Sequence, residues 1–94
     1  MPTFRNKPVD FVIDVRSRLE FWLGHLEGAA CIPVDTVSEA VRKLSGLTKN
    51  SRILVYCASG ARSAAAAQAL RSLGYQKITD GGGIAEARKN YSAK

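Results

Sequence analysis

The chain has 94 residues, of which 46% are hydrophobic and 23% charged, and its formal net charge is +6 at pH 7. This length and composition predict one globular domain over residues 1–94 and exclude a disordered chain. The apolar runs are too short to cross a bilayer and residues 1–10 contain no secretory signal, so we expect a cytoplasmic protein without a membrane partner.

The positive charge and the cysteine content narrow the possible functions further. Coulomb attraction favours small anionic substrates. Lysine and arginine are spread from Arg5 to Lys94 without interleaved aromatic residues, so we expect no nucleic-acid partner. Cys31 and Cys57 are too few for a disulfide framework and form no Cys-x-x-Cys pair, which predicts a reducing compartment and no metal site.

In the first part of the chain, apolar runs predict two strands with a helix between them. Residues 11–13, closed by Asp14, form a continuous apolar run of the kind that parallel strands show, and residues 29–32 form another. Between the two runs, apolar residues recur at helical spacing, namely Leu19, Trp22, Leu23 and Leu26. Ser17 is suited to cap this helix, and Trp22 is expected in the core.

The middle of the chain predicts a short helix and the most typical strand. Val37 and Val41 share one face of the helix, which ends near Gly46. Residues 53–56 are β-branched, aliphatic or aromatic and are bounded by polar residues, which is typical of a buried strand. This strand ends at Cys57.

The last part of the chain completes the alternation of helix and strand. A helix is expected over residues 62–73 and a short strand over residues 77–80. The glycines at positions 81–83 then lead into a helical end, either as a tight turn or as a nest of amides for an anion. The whole pattern predicts an α/β fold with a small, mostly parallel sheet of about four to five strands and helices on both faces.

In such a sheet, ligands bind beyond the carboxyl ends of the strands. Cys57 lies at one such end and Asp14 at another, so we expect Asp14, Arg16 and the thiol on the same rim. Asp14 and Arg16 have two interpretations, as substrate contacts or as an ion pair that holds the rim together, and we favour the ion pair.

The segment Cys-Ala-Ser-Gly-Ala-Arg-Ser, residues 57–63, runs from a strand end into a helix start. Unpaired amides and the helix dipole favour negative charge there, which lowers the pKa of a cysteine and makes it a nucleophile. Gly60 can adopt a positive φ at little cost, and Arg62 adds a fixed positive charge.

This segment resembles the active-site loop of single-domain rhodaneses. The resemblance extends over most of the chain, from Val12 to about Ala87, through further motifs of the family: Asp14-Val15-Arg16, Glu20, the segment 24–29, Ile32-Pro33 and Asp80-Gly81-Gly82. It implies the three-layer rhodanese-like fold. It also implies a sulfurtransferase without a cofactor.

The resemblance assigns roles to the loop. Cys57 would take sulfane sulfur from a small anionic donor such as thiosulfate, hold it as a persulfide, and pass it to cyanide or a thiol. Substrate binding would fall to the rest of the loop: Ala58, Ser59, Gly60, Ala61, Arg62 and Ser63.

Other functions and residues remain open alternatives. The domain could instead be a sulfur carrier loaded by a partner protein, or a phosphatase or arsenate reductase, although the related phosphatases have a loop one residue longer. His25, the only histidine, is interpreted as a structural residue of its turn rather than as a general base for the cysteine. Cys31 is interpreted as core packing.

Overall fold

The structure is a computed structural model that describes residues 1–94 and contains seven strands and four α-helices. The strands are β1 (Thr3–Phe4), β2 (Lys7–Pro8), β3 (Phe11–Asp14), β4 (Ala30–Cys31), β5 (Arg52–Cys57), β6 (Lys77–Gly83) and β7 (Tyr91–Ser92). The helices are α1 (Arg18–Leu23), α2 (Val37–Ala40), α3 (Ala61–Ser72) and α4 (Ile84–Asn90), and 3₁₀ turns flank α2 at Val34–Thr36 and Val41–Lys43. No helix is long and apolar enough to cross a membrane.

Strands β4, β3, β5 and β6 lie side by side in that order and run parallel. Each connection between them is a crossover, as parallel strands require. The predicted α/β class with a small parallel sheet is therefore confirmed. The strand that ends at Cys57 is one of the two central strands, which places the cysteine in the middle of the carboxyl edge.

Helices cover both faces of this sheet. Successive residues of β5 point to opposite sides, so the strand contributes apolar side chains to both faces. Ile53 and Val55 pack on one face with buried residues of α2 and α3. Leu54 and Tyr56 pack on the other face with Ala87 of α4. The two apolar clusters separated by the sheet give the three layers that the resemblance implies.

Helix α1 begins where the sequence predicts, but its apolar face is exposed and not buried in the core. Ser17 caps the helix, as expected. The prediction that Trp22 lies in the core is wrong, since its side chain is 77% exposed, and Leu19 and Leu23 on the same face are also exposed. Helical spacing shows that side chains share a face but not which side that face points to. Only Leu26, which follows the helix, reaches the core.

A second sheet joins the two ends of the described chain and has no counterpart in the sequence prediction. Strands β2, β1 and β7 form it in that order, with antiparallel pairing. Arg5 and Asn6 make the turn between β1 and β2, with φ of 51° and 66°. Strands of two residues are too short to show the alternation from which a strand is recognised.

Tyr56 supplies a hydrogen bond that links β5 to the segment after α1. Its hydroxyl oxygen accepts from the amide of Leu26 at 3.0 Å, and both residues are buried. We therefore expect Tyr56→Phe to lower the free energy of unfolding by about 1–3 kcal/mol, because the buried amide loses its partner. Urea denaturation followed by circular dichroism measures this change.

The matched control is Tyr75→Phe, which removes the hydroxyl of another buried tyrosine that bonds no backbone amide. This variant should unfold at nearly the wild-type urea concentration. Equal destabilisation by the two substitutions would contradict the role given to the Tyr56 hydroxyl.

Candidate active site

The thiol of Cys57 is buried at the last residue of β5, where the chain turns into α3. The amide of Gly60 donates a hydrogen bond to Sγ at 3.0 Å. The protonated thiol donates to the Ser63 hydroxyl oxygen at 3.6 Å, and the same hydroxyl can donate to the sulfur once the thiol is ionised. The loop thus wraps hydrogen-bond donors around one sulfur atom, as the sequence predicts for an anion.

Gly60 and Ser63 fix the shape of this loop. Gly60 has a φ of 108°, in the left-handed region that favours glycine, and it precedes the first residue of α3. Its carbonyl accepts a hydrogen bond from the Ala64 amide at 3.0 Å and, while the Cys57 thiol is protonated, another from the Ser63 hydroxyl at 3.1 Å. The bend that brings the Gly60 amide to the sulfur is therefore anchored in the first turn of the helix.

The pKa of Cys57 reflects two opposing effects. Burial is the largest single influence and raises the pKa, since a charged sulfur loses contact with water. Hydrogen bonds from the Ser63 side chain and from the amides of Ser63, Gly60 and Ser59 act in the opposite direction. Together they outweigh burial, so the net shift of the Cys57 pKa is downward. The site holds a larger thiolate fraction at neutral pH than a free cysteine does.

The last glycine of β6 packs directly against the loop. Gly83 lies opposite Cys57 in the parallel pairing of β5 and β6. A Cβ atom at Gly83 would lie only 2.6 Å from the carbonyl oxygen of Ala58. The glycine run is thus neither a separate turn nor an isolated nest: the strand predicted over residues 77–80 continues to Gly83, and its glycines allow close packing beside the loop. The role of Gly83 could not be found from sequence because it depends on pairing between separate strands.

Arg62 forms an ion pair with Glu20, a residue that the sequence identifies only as part of a family motif. Its two terminal nitrogens donate to the carboxylate of Glu20 at 2.7 and 3.0 Å. This hydrogen-bonded ion pair raises the pKa of Arg62 and holds the pKa of Glu20 at about 2. Glu20 also completes the cap of α1 by accepting from the amide of Ser17 at 3.0 Å. One carboxylate thus ties α1 to the loop.

The remaining loop residues lie where the sequence places them. Ala58 and Ser59 are exposed at the mouth of the loop, and Ala61 is the exposed first residue of α3. Their side chains make no hydrogen bond to the sulfur, and Ser59 contributes through its amide. Their assignment to substrate binding stays a prediction.

Asp14 and Arg16 form a buried ion pair on the same rim. The Arg16 Nη2 atom lies 2.7 Å from Asp14 Oδ2, and the Arg16 Nε atom donates to Asp14 Oδ1 at 2.9 Å. Arg16 Nη2 also donates to the carbonyl of Gly24 at 2.6 Å. The structure therefore shows the ion pair, which holds the end of α1 to β3.

His25 and Cys31 take no part in the cysteine's hydrogen bonds. The His25 ring stacks on Phe21 with centroids 3.7 Å apart, and its Nδ1 donates to the Phe21 carbonyl at 2.8 Å. Cys31 is a half-buried free thiol whose pKa is raised by burial. The contacts of His25 agree with its structural interpretation. The prediction that Cys31 packs in the core is wrong, since this half-buried residue of the edge strand β4 belongs to neither apolar cluster.

Comparison with known proteins places this geometry in a family. The tRNA uridine(34) hydroxylase of Cronobacter sakazakii is 37% identical over 89 residues, which are 89% of this chain and 26% of that protein. The chain thus spans about a quarter of the length of the curated relatives that it matches.

Solved structures resemble the whole fold. A structure described as a rhodanese with anions from E. coli superposes with a TM-score of 0.78 at 28% identity, covering 89% of this chain and 98% of that one. A human single-domain sulfurtransferase gives a TM-score of 0.72 at 27% identity, covering 84% and 80%. The rhodanese-like domain family matches residues 3–86, which include every element of the cysteine loop. The chain therefore belongs to the rhodanese-like domain family.

Proposed function

We propose that this protein is a sulfurtransferase that moves sulfane sulfur from a thiosulfate-like donor to a thiol or cyanide through a persulfide on Cys57. The observation that carries the proposal is the buried thiol with its pKa lowered by hydrogen bonds from Gly60 and Ser63. A thiolate is the nucleophile that sulfur transfer needs. The structural likeness to a single-domain sulfurtransferase supports the same chemistry.

The reaction divides into two displacements at sulfur. In the first, the Cys57 thiolate attacks the outer sulfur of thiosulfate, the new S–S bond forms, and the old S–S bond breaks to release sulfite. In the second, a cyanide ion or a thiolate attacks the outer persulfide sulfur, and Cys57 leaves as the thiolate. No external oxidant or reductant is consumed, because the sulfane sulfur passes from one nucleophile to another.

The loop supports both displacements by binding negative charge. The amides of Ser59 and Gly60 converge on the sulfur of Cys57, which carries the negative charge before the first transfer and again after the second. These donors are fixed by the first turn of α3, so they need no rearrangement during the reaction. Arg62 is already paired with Glu20, which weakens its attraction for any dianion, thiosulfate and phosphate alike.

A sulfur carrier loaded by a partner protein is the second candidate. The apolar face of α1, formed by Leu19, Trp22 and Leu23, is exposed on the helix whose Glu20 bonds the loop. An exposed apolar patch favours contact with another protein. Slow loading by thiosulfate together with fast loading by a persulfidated protein would favour this carrier role.

The curated relatives are named as tRNA hydroxylases and not as sulfurtransferases. Hydroxylation of tRNA uridine is the alternative that their name favours. Loss of hydroxylated uridine from the tRNA of a strain lacking this protein would support it.

We place the chemistry in the cytoplasm, because both cysteines are free thiols and persulfide turnover needs a reducing setting.

Loading of the cysteine gives the direct test of sulfur transfer. After incubation with thiosulfate, the intact mass should rise by one sulfur atom, and cyanide should remove that atom. Cys57→Ser should abolish the gain because the hydroxyl cannot form a persulfide. Cys31→Ser is the matched control and should load as the wild type does. Loading that survives in Cys57→Ser would sink the proposal.

The pH dependence of alkylation tests the hydrogen bonds to the sulfur. The thiolate fraction of Cys57 increases with pH, and its lowered pKa puts the midpoint below that of a free cysteine. Ser63→Ala removes the side-chain donor, so the midpoint should move to higher pH and the alkylation rate at neutral pH should fall severalfold. Iodoacetamide labelling across a pH series measures both.

Ser59→Ala is the control for this experiment, because Ser59 contributes through its backbone amide, which alanine keeps. Its midpoint should match that of the wild type. Identical shifts in the two variants, or none in either, would mean that the Ser63 side chain does not set the pKa of Cys57.

The ion pair between Glu20 and Arg62 is expected to affect the KM for the anionic donor. Glu20→Gln keeps a hydrogen-bond acceptor for the cap of α1 and removes the charge that neutralises Arg62. The KM for thiosulfate should fall by about threefold, which is the size expected for one partly exposed charge pair. Glu27→Gln removes one exposed carboxylate elsewhere and should leave KM unchanged. An unaltered KM in Glu20→Gln would show that the pair does not limit donor binding.

A further inference from the structure

A second concave site lies at the end of the sheet opposite to Cys57. A cavity of about 530 Å³ opens beside the amino ends of β5 and β6 and the hairpin of β1 and β2. Arg52 begins β5 and lines the cavity, whereas Cys57 ends the strand. The two sites are therefore separated by roughly 17 Å along the strand, at about 3.3 Å per residue.

The cavity collects positive charge. Four cationic side chains line it, Arg5, Lys7, Arg52 and Lys77, and no carboxylate does. Arg52 is neutralised by Asp10, with 2.8 Å between Nη2 and Oδ1. The other three cations take part in none of the ion pairs of the structure. Asp10 also attracts Lys77 electrostatically. Cations nevertheless outnumber carboxylates around the cavity, which therefore attracts a ligand with several negative charges.

Arg5 stands in a backbone conformation that an arginine rarely adopts. Its φ of 51°, with 66° at Asn6, makes a tight hairpin turn in which glycine, asparagine and aspartate are preferred. The turn is tied to the end of α4 by a 2.8 Å hydrogen bond from the Arg5 amide to the Asn90 carbonyl. The Arg5 guanidinium lies over the ring of Phe4, 5.2 Å from its centroid. The turn thus fixes the backbone of Arg5 at this rim, where its side chain lines the cavity.

The size and chemistry of the cavity select the ligand. Its volume lies in the range of small-molecule sites. A guanidinium and two ammonium groups bind phosphate oxygens, and Pro8 and Ile78 add apolar wall for an uncharged part of a ligand. The aromatic ring in the lining, Phe4, is 4% exposed, so a strand of nucleic acid would find no ring on which to stack its bases.

We propose that this cavity binds the polyphosphate group of a small molecule, for which ATP serves as the probe. The site is separate from the cysteine loop and does not depend on sulfur transfer. Lys7 and Lys77 hold the phosphates from two sides, with Arg5 at the rim.

Titration calorimetry of the full chain with ATP and with adenosine tests the proposal at about 0.15 M salt. ATP should bind and adenosine should not. Lys7→Gln and Lys77→Gln should each weaken ATP binding by about tenfold, the size of one charge-assisted hydrogen bond. Lys43→Gln is the matched control, because it removes one exposed, unpaired lysine outside the cavity and should bind as the wild type does.

Three results would overturn the proposal. They are no ATP binding at this salt concentration, an equal loss of affinity in Lys43→Gln and Lys77→Gln, or tighter binding of an oligoribonucleotide that Lys77→Gln leaves unchanged. Sulfur loading is measured separately in the same variants and should remain at the wild-type level, while Cys57→Ser should still bind ATP. Failure at one site is thereby distinguished from failure at the other.

Discussion

Hydrogen bonds to one buried sulfur atom are the constraint on which this structure depends. An anion removed from water is stable only where donors replace the water, and here main-chain amides and one serine hydroxyl do so. This demands a sharp bend after β5, which Gly60 provides, and a backbone brought close beside it, which Gly83 permits. The parallel sheet holds both segments in register.

The sequence predicts the parts of this site that are contiguous in the chain. Strand β5, the bend and helix α3 follow one another directly, so residue pattern and helix-start chemistry were enough to find Cys57 and its loop. The pairing of Arg62 with Glu20 joins positions 42 residues apart, and no local pattern encodes that distance. The same limit explains the exposed Trp22, since periodicity defines a face without saying what covers it.

Charge is arranged differently at the two ends of the sheet. Around the cysteine, the arginines are matched by carboxylates, in the Asp14–Arg16 and Glu20–Arg62 pairs. At the opposite end, three cations take part in no ion pair. Basic residues scattered in sequence gave no sign of this asymmetry, because the fold gathers them from separate segments. The net charge of the chain therefore does not indicate the local charge at either end of the sheet.

The exposed indole of Trp22 also determines what optical probes can report. It is the only tryptophan of the chain, and most of its surface meets water in the folded state. Unfolding would change its surroundings little, so intrinsic emission is a poor measure of the folding equilibrium. Burial of the same ring against another molecule would shift its emission to shorter wavelength, which makes Trp22 a built-in fluorophore for complexes formed at α1.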